Sequence, residues 1–384
     1  MRRYTLVPMA LALASASCTF KNLEDGLDAM FGIPNSDHMP PGQLPIAQTV
    51  KQRNLVSDQP NVAAYQDPNL VNAWGLAFNP SGPAWVSDNG TGLTTVYDPN
   101  GVLLLTVTIP SPTEGETSAP TGQVFNPDSA NSFKHDKFIF VTEDGTISGW
   151  QQGFDGTAKL RVDNSETNAV YKGVAIARDH GAARLFAADF HNGKVDIFDG
   201  NYSPVAPCDG GFVDKDLPAN YAPFNIFASS DLLFVSYALQ ELPEKEDDVK
   251  GVGHGFIDLF DATGHLLERL ASRDHLNSPW GMAIAPADFG QIPNRLLVGN
   301  FGDGLINVFD LSLGGLRLRA DFQGFIGDDQ GQALSIDGLW ALAFPPAAGG
   351  FDSRHLYFTA GPNDENNGLF GRLELPGQKQ AKSY

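Results

Sequence analysis

One pattern recurs along this chain and limits its fold more than any other feature: an aromatic or polar residue, a glycine, then a short apolar strand. It stands as Trp74-Gly75-Leu76-Ala77-Phe78, Trp280-Gly281-Met282-Ala283-Ile284 and Trp340-Ala341-Leu342-Ala343-Phe344. Weaker copies are Thr121-Gly122-Gln123-Val124-Phe125, Lys172-Gly173-Val174-Ala175-Ile176 and the degenerate Phe224-Asn225-Ile226-Phe227. The anchors fall at 75, 122, 173, 225, 281 and 341, about 47 to 60 residues apart. That is the length of one four-stranded propeller blade with its loops.

Each copy is followed by a second apolar run, such as Ala84-Trp85-Val86-Ser87-Asp88 or Leu185-Phe186-Ala187-Ala188-Asp189. Continuous apolar runs of this length suit strands covered on both faces, as blades packed between blades must be. A third strand ends in Asp at 98, 199, 261 and 310, where the carboxylate is expected to order the next turn. A fourth strand follows in most copies. The last copy stops after its third strand, at residues 369–375, whereas a strand-like stretch at 49–56 precedes the first. The sequence therefore predicts an all-β, six-bladed β-propeller whose ring is closed by that N-terminal strand, which leaves no open sheet edge.

Three flanking segments complete the expected organisation: a lipoprotein-type signal peptide at 1–18, a flexible tether at 19–48 and a polar tail at 376–384, around a propeller at 49–375. Arg2 and Arg3 precede a short apolar run at 6–14, and small residues lead to Cys18. Cys18 stands where a bacterial lipobox places its acylated cysteine, with Ser15 where Leu is usual. The expectation is an exported protein, periplasmic or at the cell surface, held as an outer-membrane lipoprotein by a lipid anchor alone. Ordinary cleavage near Ala16 is the alternative. Cys208 is the only other cysteine, so no intrachain disulfide is expected once Cys18 is acylated or removed.

The formal charge of −20, from 45 acidic against 25 basic residues, argues against nucleic acid, because phosphate binding needs Lys and Arg to displace counterions. No G-x-S-x-G elbow, P-loop or dinucleotide fingerprint is present. His191, His254 and His275 read as polar loop residues. The run Glu244-Lys245-Glu246-Asp247-Asp248 reads as a solvated flap.

With these residues in view, the chain resembles the six-bladed propellers of the NHL-repeat and lactonase-like superfamily, and more closely a family of uncharacterised exported bacterial propellers. The resemblance spans about residues 49 to 375. It is carried by Val141-Thr142-Glu143-Asp144-Gly145-Thr146-Ile147-Ser148-Gly149-Trp150, Asn277-Ser278-Pro279-Trp280-Gly281, Gly299-Asn300-Phe301-Gly302-Asp303-Gly304 and Thr359-Ala360-Gly361-Pro362-Asn363-Asp364-Glu365. It implies fold and export. The related lactonases hold a metal with Glu, Asn and Asp, including a glutamate in the first inner strand; the corresponding strand here, 75–78, has no acid.

By analogy with other propellers, a ligand is expected on the face formed by the loops joining the outer strand of one blade to the inner strand of the next, and the second strand to the third. Asp88, Glu143, Asp189 and Asn300 read as equivalent ends of the second strand in four blades, and Asn225 replaces an anchor glycine. Converging oxygen ligands of this kind would suit Ca²⁺ or Mg²⁺; as capping residues they would only order turns. Trp74, Trp280 and Trp340 share one repeat position, either packed near the channel mouth or offered as aromatic platforms. The leading functional expectation is a non-catalytic binding or scaffold protein for a protein, glycan or small-molecule partner. The alternative is a Ca- or Mg-dependent hydrolase of lactones or esters at the channel mouth.

Overall fold

Each of the six repeats folds as one antiparallel sheet, and the sheets follow one another around a central axis. The computed structural model describes residues 46–207, 210–314 and 317–377. Lettering strands a to d from the axis outward, blade one is Ala73–Phe78, Ala84–Asp88, Leu93–Tyr97 and Leu103–Thr108. The a strands of blades two to six are Pro120–Phe125, Tyr171–Asp179, Tyr221–Ser229, Pro279–Ile284 and Leu339–Ala343, and each contains its anchor. Successive a strands touch, and that of blade six touches that of blade one. Among the described residues the only helical pieces are three 3₁₀ turns of three residues each.

The anchor glycines are explained by how closely these a strands approach. A Cβ on Gly75 would lie 2.4 Å from the Thr121 carbonyl oxygen, one on Gly122 2.9 Å from Gly173 Cα, and one on Gly281 2.4 Å from the Trp340 carbonyl oxygen. Each contact is with the neighbouring blade, so the missing side chain sets the inter-blade spacing. In blade four Asn225 takes this place, and its Nδ2 donates to the Trp280 carbonyl at 2.7 Å. Asn225 is thus a tie between blades four and five.

Ring closure follows the predicted route. Lys51–Ser57 pairs antiparallel with Leu369–Glu374 and supplies the d strand of blade six. Leu55 and Val56 of that strand are buried with Phe370 and Tyr97, joining the two ends of the chain to blade one. Strand pairing is already present before residue 49, because Ile46–Thr49 pairs in parallel with Arg317–Gly327 and covers the outer edge of blade five. A sheet edge left bare would offer unpaired backbone groups. Residues 1–45 and 378–384, and with them Cys18, lie outside the described residues, as does Cys208.

The turn-opening aspartates behave as expected at three positions. Asp98 accepts from the backbone N–H groups of Asn100 and Val102, Asp199 from Asn201 and Ser203, and Asp261 from Thr263 and His265. Asp310 differs because its strand runs on to Gly314; its carboxylate meets Arg295 at 3.0 Å instead.

Candidate functional site

Strand alternation decides which residues reach the axis. Pairing between a and b strands sets Ala73 opposite Asp88, Pro120 opposite Thr142, Tyr171 opposite Asp189, Pro223 opposite Tyr237, Pro279 opposite Asn300 and Leu339 opposite Ala360. The true counterpart of Asp88, Asp189 and Asn300 in blade two is therefore Thr142, and Glu143 is one residue further on. With a side-chain period of two, one residue of offset moves a side chain to the opposite face.

The expected convergence of Asp88, Glu143, Asp189 and Asn300 does not occur. Asp88 is fully buried and accepts from the Thr95 hydroxyl at 3.2 Å; burial raises its pKa well above the usual carboxylate range, with Asp67 adding repulsion. Asp189 accepts from the Val170 backbone N–H and from Asn192, and burial raises it too. Asn300 donates to the His275 carbonyl and to Asp303. Asp189 and Asn300 cap loops of their own blades, whereas Asp88 is tied to the third strand of its blade through Thr95. Among the described residues no three His, Cys, Asp or Glu side chains are grouped to hold a metal ion.

The residues that do meet at the axis form two stacked rings. The first is the position before each anchor: Trp74, Thr121, Lys172, Phe224, Trp280 and Trp340. The second is the position after each b-strand end: Asn89, Glu143, Phe190, Ala238, Phe301 and Gly361. Their apolar members make one buried cluster. Trp340 stacks between Trp74 and Phe301, with ring centroids 3.6 and 3.8 Å away, and Trp280 meets Trp74 and Trp340 edge-on at 6.3 and 5.9 Å. The three tryptophans are 1–4% exposed, so their ring faces are spent on each other and they plug the channel. The Trp280 indole N–H donates to the Lys172 carbonyl at 3.2 Å, and that of Trp340 to Asn72 Oδ1 at 2.9 Å.

The polar members of the rings collect over this plug. Lys172, the one charged residue in the first ring, is buried to 2% exposure and donates to Glu143 Oε1. Its Nζ lies 3.6 Å from Asp247 Oδ1 and 5.2 Å from the Trp74 ring centre. Glu143 Oε2 accepts from Asn89 Nδ2 at 2.8 Å; Asn72 Nδ2 reaches Asn89 at 3.2 Å and Glu365 Oε2 at 2.7 Å. Lys250 stands 4.3 Å over Phe301 on the same face.

Electrostatics keep the lysine at the centre of this arrangement charged. Burial alone would pull the Lys172 ammonium down, but Glu143 and Asp247 outweigh it and hold it above its ordinary value. It stays a cation at neutral pH and is no amine nucleophile. Burial raises Glu365; the Asn72 hydrogen bond opposes this and the Glu143 charge adds to it. Burial raises Asp248 against the lowering pull of Ser278 and then of Lys172 and Lys250. Among the acids of the mouth a lysine ammonium thus fills the place a metal ion would need, so these residues do not fit a Ca²⁺ or Mg²⁺ site centred on Glu143.

Sequence reasoning missed Lys172, Asn72, Asn89, Asp247, Asp248 and Glu365 as site residues. The signal for Lys172 was present: it is the only charged residue at its repeat position. Asp247 and Asp248 belong to the run read as a solvated flap, yet Asp248 turns inward while the Asp247 side chain is 74% exposed.

No family model matches the sequence. The chain is 32% identical over 337 residues to the uncharacterized protein R648 of Acanthamoeba polyphaga mimivirus, covering 85% of this chain and 80% of that protein. It is 32% identical over 339 residues to uncharacterized protein L690 of the same virus, covering 85% and 86%. Among solved structures it is similar to a protein of unknown function from Bacteroides thetaiotaomicron, with TM-score 0.51, 8% identity and coverage of 86% of this chain and 75% of that one. It is also similar to virginiamycin B lyase from Staphylococcus aureus, with TM-score 0.49, 10% identity and coverage of 85% and 99%. At 8% identity the likeness to the Bacteroides protein speaks to fold alone.

Proposed function

The chain belongs to the family of the mimivirus proteins R648 and L690, and from its own geometry we propose that it is a non-catalytic binding protein that takes a basic protein segment at the charged mouth. The observation that supports this reading most is the sealed, acid-rich mouth itself. Among the described residues, Glu143, Asp247, Asp248 and Glu365 gather there around Lys172 and Lys250, over an aromatic floor that closes the channel. Lys172 is already paired, so the surplus negative charge is complementary to an incoming cation. The chain's net charge of −20 steers the same class of partner. A twelve-residue oligolysine peptide is the probe. Calorimetry on the full chain at two salt concentrations should show binding that weakens about tenfold or more in the Asp247→Asn/Asp248→Asn variant. Binding unchanged by that double substitution would overturn the proposal.

A second reading, a Ca- or Mg-dependent hydrolase of lactones or esters, is favoured by one feature, the gathering of carboxylates around Glu143. It needs the metal to displace the Lys172 ammonium. Lactone turnover that depends on added Ca²⁺ and disappears in Glu143→Gln would establish it in place of the first.

Both relatives are viral, whereas the sequence resemblance pointed to bacteria. Export with acylation at Cys18 is accordingly part of the proposal. Metabolic labelling with a tritiated fatty acid should mark the wild-type chain in a bacterial host and not Cys18→Ser; equal labelling, or none in either, would refute it.

A further inference from the structure

Ring closure leaves every blade one outer edge, the free side of its d strand, and the six edges are not alike. Such an edge carries unpaired backbone groups and invites another strand unless charge, proline, shortness or a cover blunts it. Blade two ends in Lys159–Asp163, with charges at Lys159, Arg161 and Asp163. Blade three ends in the two-residue strand Pro204–Val205. In blade four Leu266–Ser272 carries Glu268 and Arg269. In blade five Ile46–Thr49 covers the last residues of Arg317–Gly327, and Arg317, Arg319 and Asp321 stand before them. In blade six Tyr65–Gln66 covers Val56 and Ser57, and Lys51 and Arg53 guard the rest.

Among the described residues blade one is the exception. Its d strand, Leu103–Thr108, reads Leu-Leu-Leu-Thr-Val-Thr and pairs with Leu93–Tyr97 on one side only. On the outer side just its last residue is held: the Thr108 N–H donates to the Gly156 carbonyl at 2.8 Å, and the Thr108 carbonyl accepts from the Ala158 N–H at 2.9 Å. Val102, Leu103 and Leu104 are 38, 42 and 57% exposed, and no other exposed large apolar residues among the described ones are consecutive. No ionisable side chain occurs between Asp98 and Glu114.

The chemistry of this edge selects its occupant. Free backbone groups call for an extended strand, and an uncharged strip offers a cationic segment nothing to pair with. The same strand on a second copy fits, because two identical antiparallel strands are related by a twofold axis and each copy supplies both edge and occupant. Two copies of net charge −20 repel each other, and contact through an uncharged strip is where that repulsion is least. We propose that two copies of this chain associate rim to rim, their blade-one d strands pairing antiparallel over residues 103–107 with Leu103 and Leu104 packed across the joint. The other edges are guarded, so the assembly closes as a dimer. The joint is small beside the roughly 1,200–2,000 Å² of stable interfaces, which sets an expected Kd of about 10–100 µM. It lies on the rim and the charged mouth on the axis, so the failure of either proposal leaves the other standing.

Sedimentation equilibrium of the full chain is the test, with hydrogen exchange beside it. The wild type should form a reversible dimer that tightens as salt rises from about 50 to 500 mM, because screening removes the repulsion. Binding of a basic peptide at the mouth weakens over the same range. Leu104→Lys sets like charges against each other across the joint and should weaken association at least about tenfold. Leu313→Lys changes an exposed apolar residue of blade five and should leave association unchanged. Both positions are exposed, so both variants should melt as the wild type does. In the wild type, the amides of residues 103–107 should exchange more slowly at concentrations where the dimer forms. Three results would overturn the proposal: a wild type that stays monomeric to about 1 mM, well above the expected Kd, a dimer that Leu104→Lys leaves intact, or a dimer in which exchange at residues 103–107 is not slowed.

Discussion

Replacing Lys172 by Met removes the only charged member of the inner ring while keeping an unbranched apolar stem over Trp74. The size of the effect follows from burial. Removing one partner of a fully buried ion pair costs about 3–5 kcal/mol, because the other charge is stranded. Lys172 is 2% exposed but the Glu143 side chain is 26% exposed, so water relieves part of the penalty. Asp247, 3.6 Å away with a 74% exposed side chain, adds little through solvent. The lost ammonium–indole attraction is worth about 0.5–1 kcal/mol. The expected cost of Lys172→Met is about 2–3 kcal/mol. Glu143→Gln should cost at least as much, because it strands the more deeply buried member. The double variant should recover about 2 kcal/mol of the summed penalties, the coupling expected of groups in direct contact. Guanidinium denaturation of the four proteins at neutral pH measures this. Single variants within about 0.5 kcal/mol of wild type, or penalties that simply add, would refute the view of Lys172 as the charge that organises the mouth.

Other consequences follow from separate parts of the structure. Trp340→Ala removes the ring stacked between Trp74 and Phe301 and should cost about 3–5 kcal/mol, read as a fall in denaturation midpoint; a loss below about 1 kcal/mol would mean the plug is not packed as described. Val56→Asp puts a charge in the fully buried part of the closing strand and should destabilise by more than about 3 kcal/mol, opening blade six to early proteolysis; a normal midpoint would argue against closure by this strand. Glu365→Gln should stabilise the protein at neutral pH. Burial raises the Glu365 pKa, so the folded state holds its proton more tightly than the unfolded state, and wild-type stability falls as pH rises past the ordinary carboxyl value. The advantage of the variant should shrink toward pH 4, and a pH-independent difference would be inconsistent with this.

Much of the architecture could be read in the residues because a propeller repeats its constraints. Gly75, Gly122 and Gly281 mark close approach of neighbouring a strands, and that requirement recurs in blade after blade. The Asp-opened turns at 98, 199 and 261 repeat for the same reason, and the closing strand was implied by a sixth repeat that ended one strand short. The mouth is a departure from the repeat, and repetition could not reveal it. In sequence Glu143 ends an apolar run just as Asp88 and Asp189 do, and only the pairing of Pro120 with Thr142 shows it one residue out of register. That single residue separates a loop cap from a residue on the axis. Asn72, Asp247 and Glu365 come from loops of unequal length, and no spacing in the sequence brings them to Lys172. The parallel strand Ile46–Thr49 was also hidden, because four residues added to an outer edge carry little pattern.

The central functional claim is that a lysine takes the place of a metal at a mouth built for binding. Calorimetric titration of the full chain with CaCl₂, run beside Lys172→Met, tests it directly. The wild type should show no stoichiometric site, and Lys172→Met at most a weak one, where removal of the ammonium frees the carboxylates of Glu143 and Asp247. A single tight Ca²⁺ site in the wild type, lost in Glu143→Gln, would contradict it.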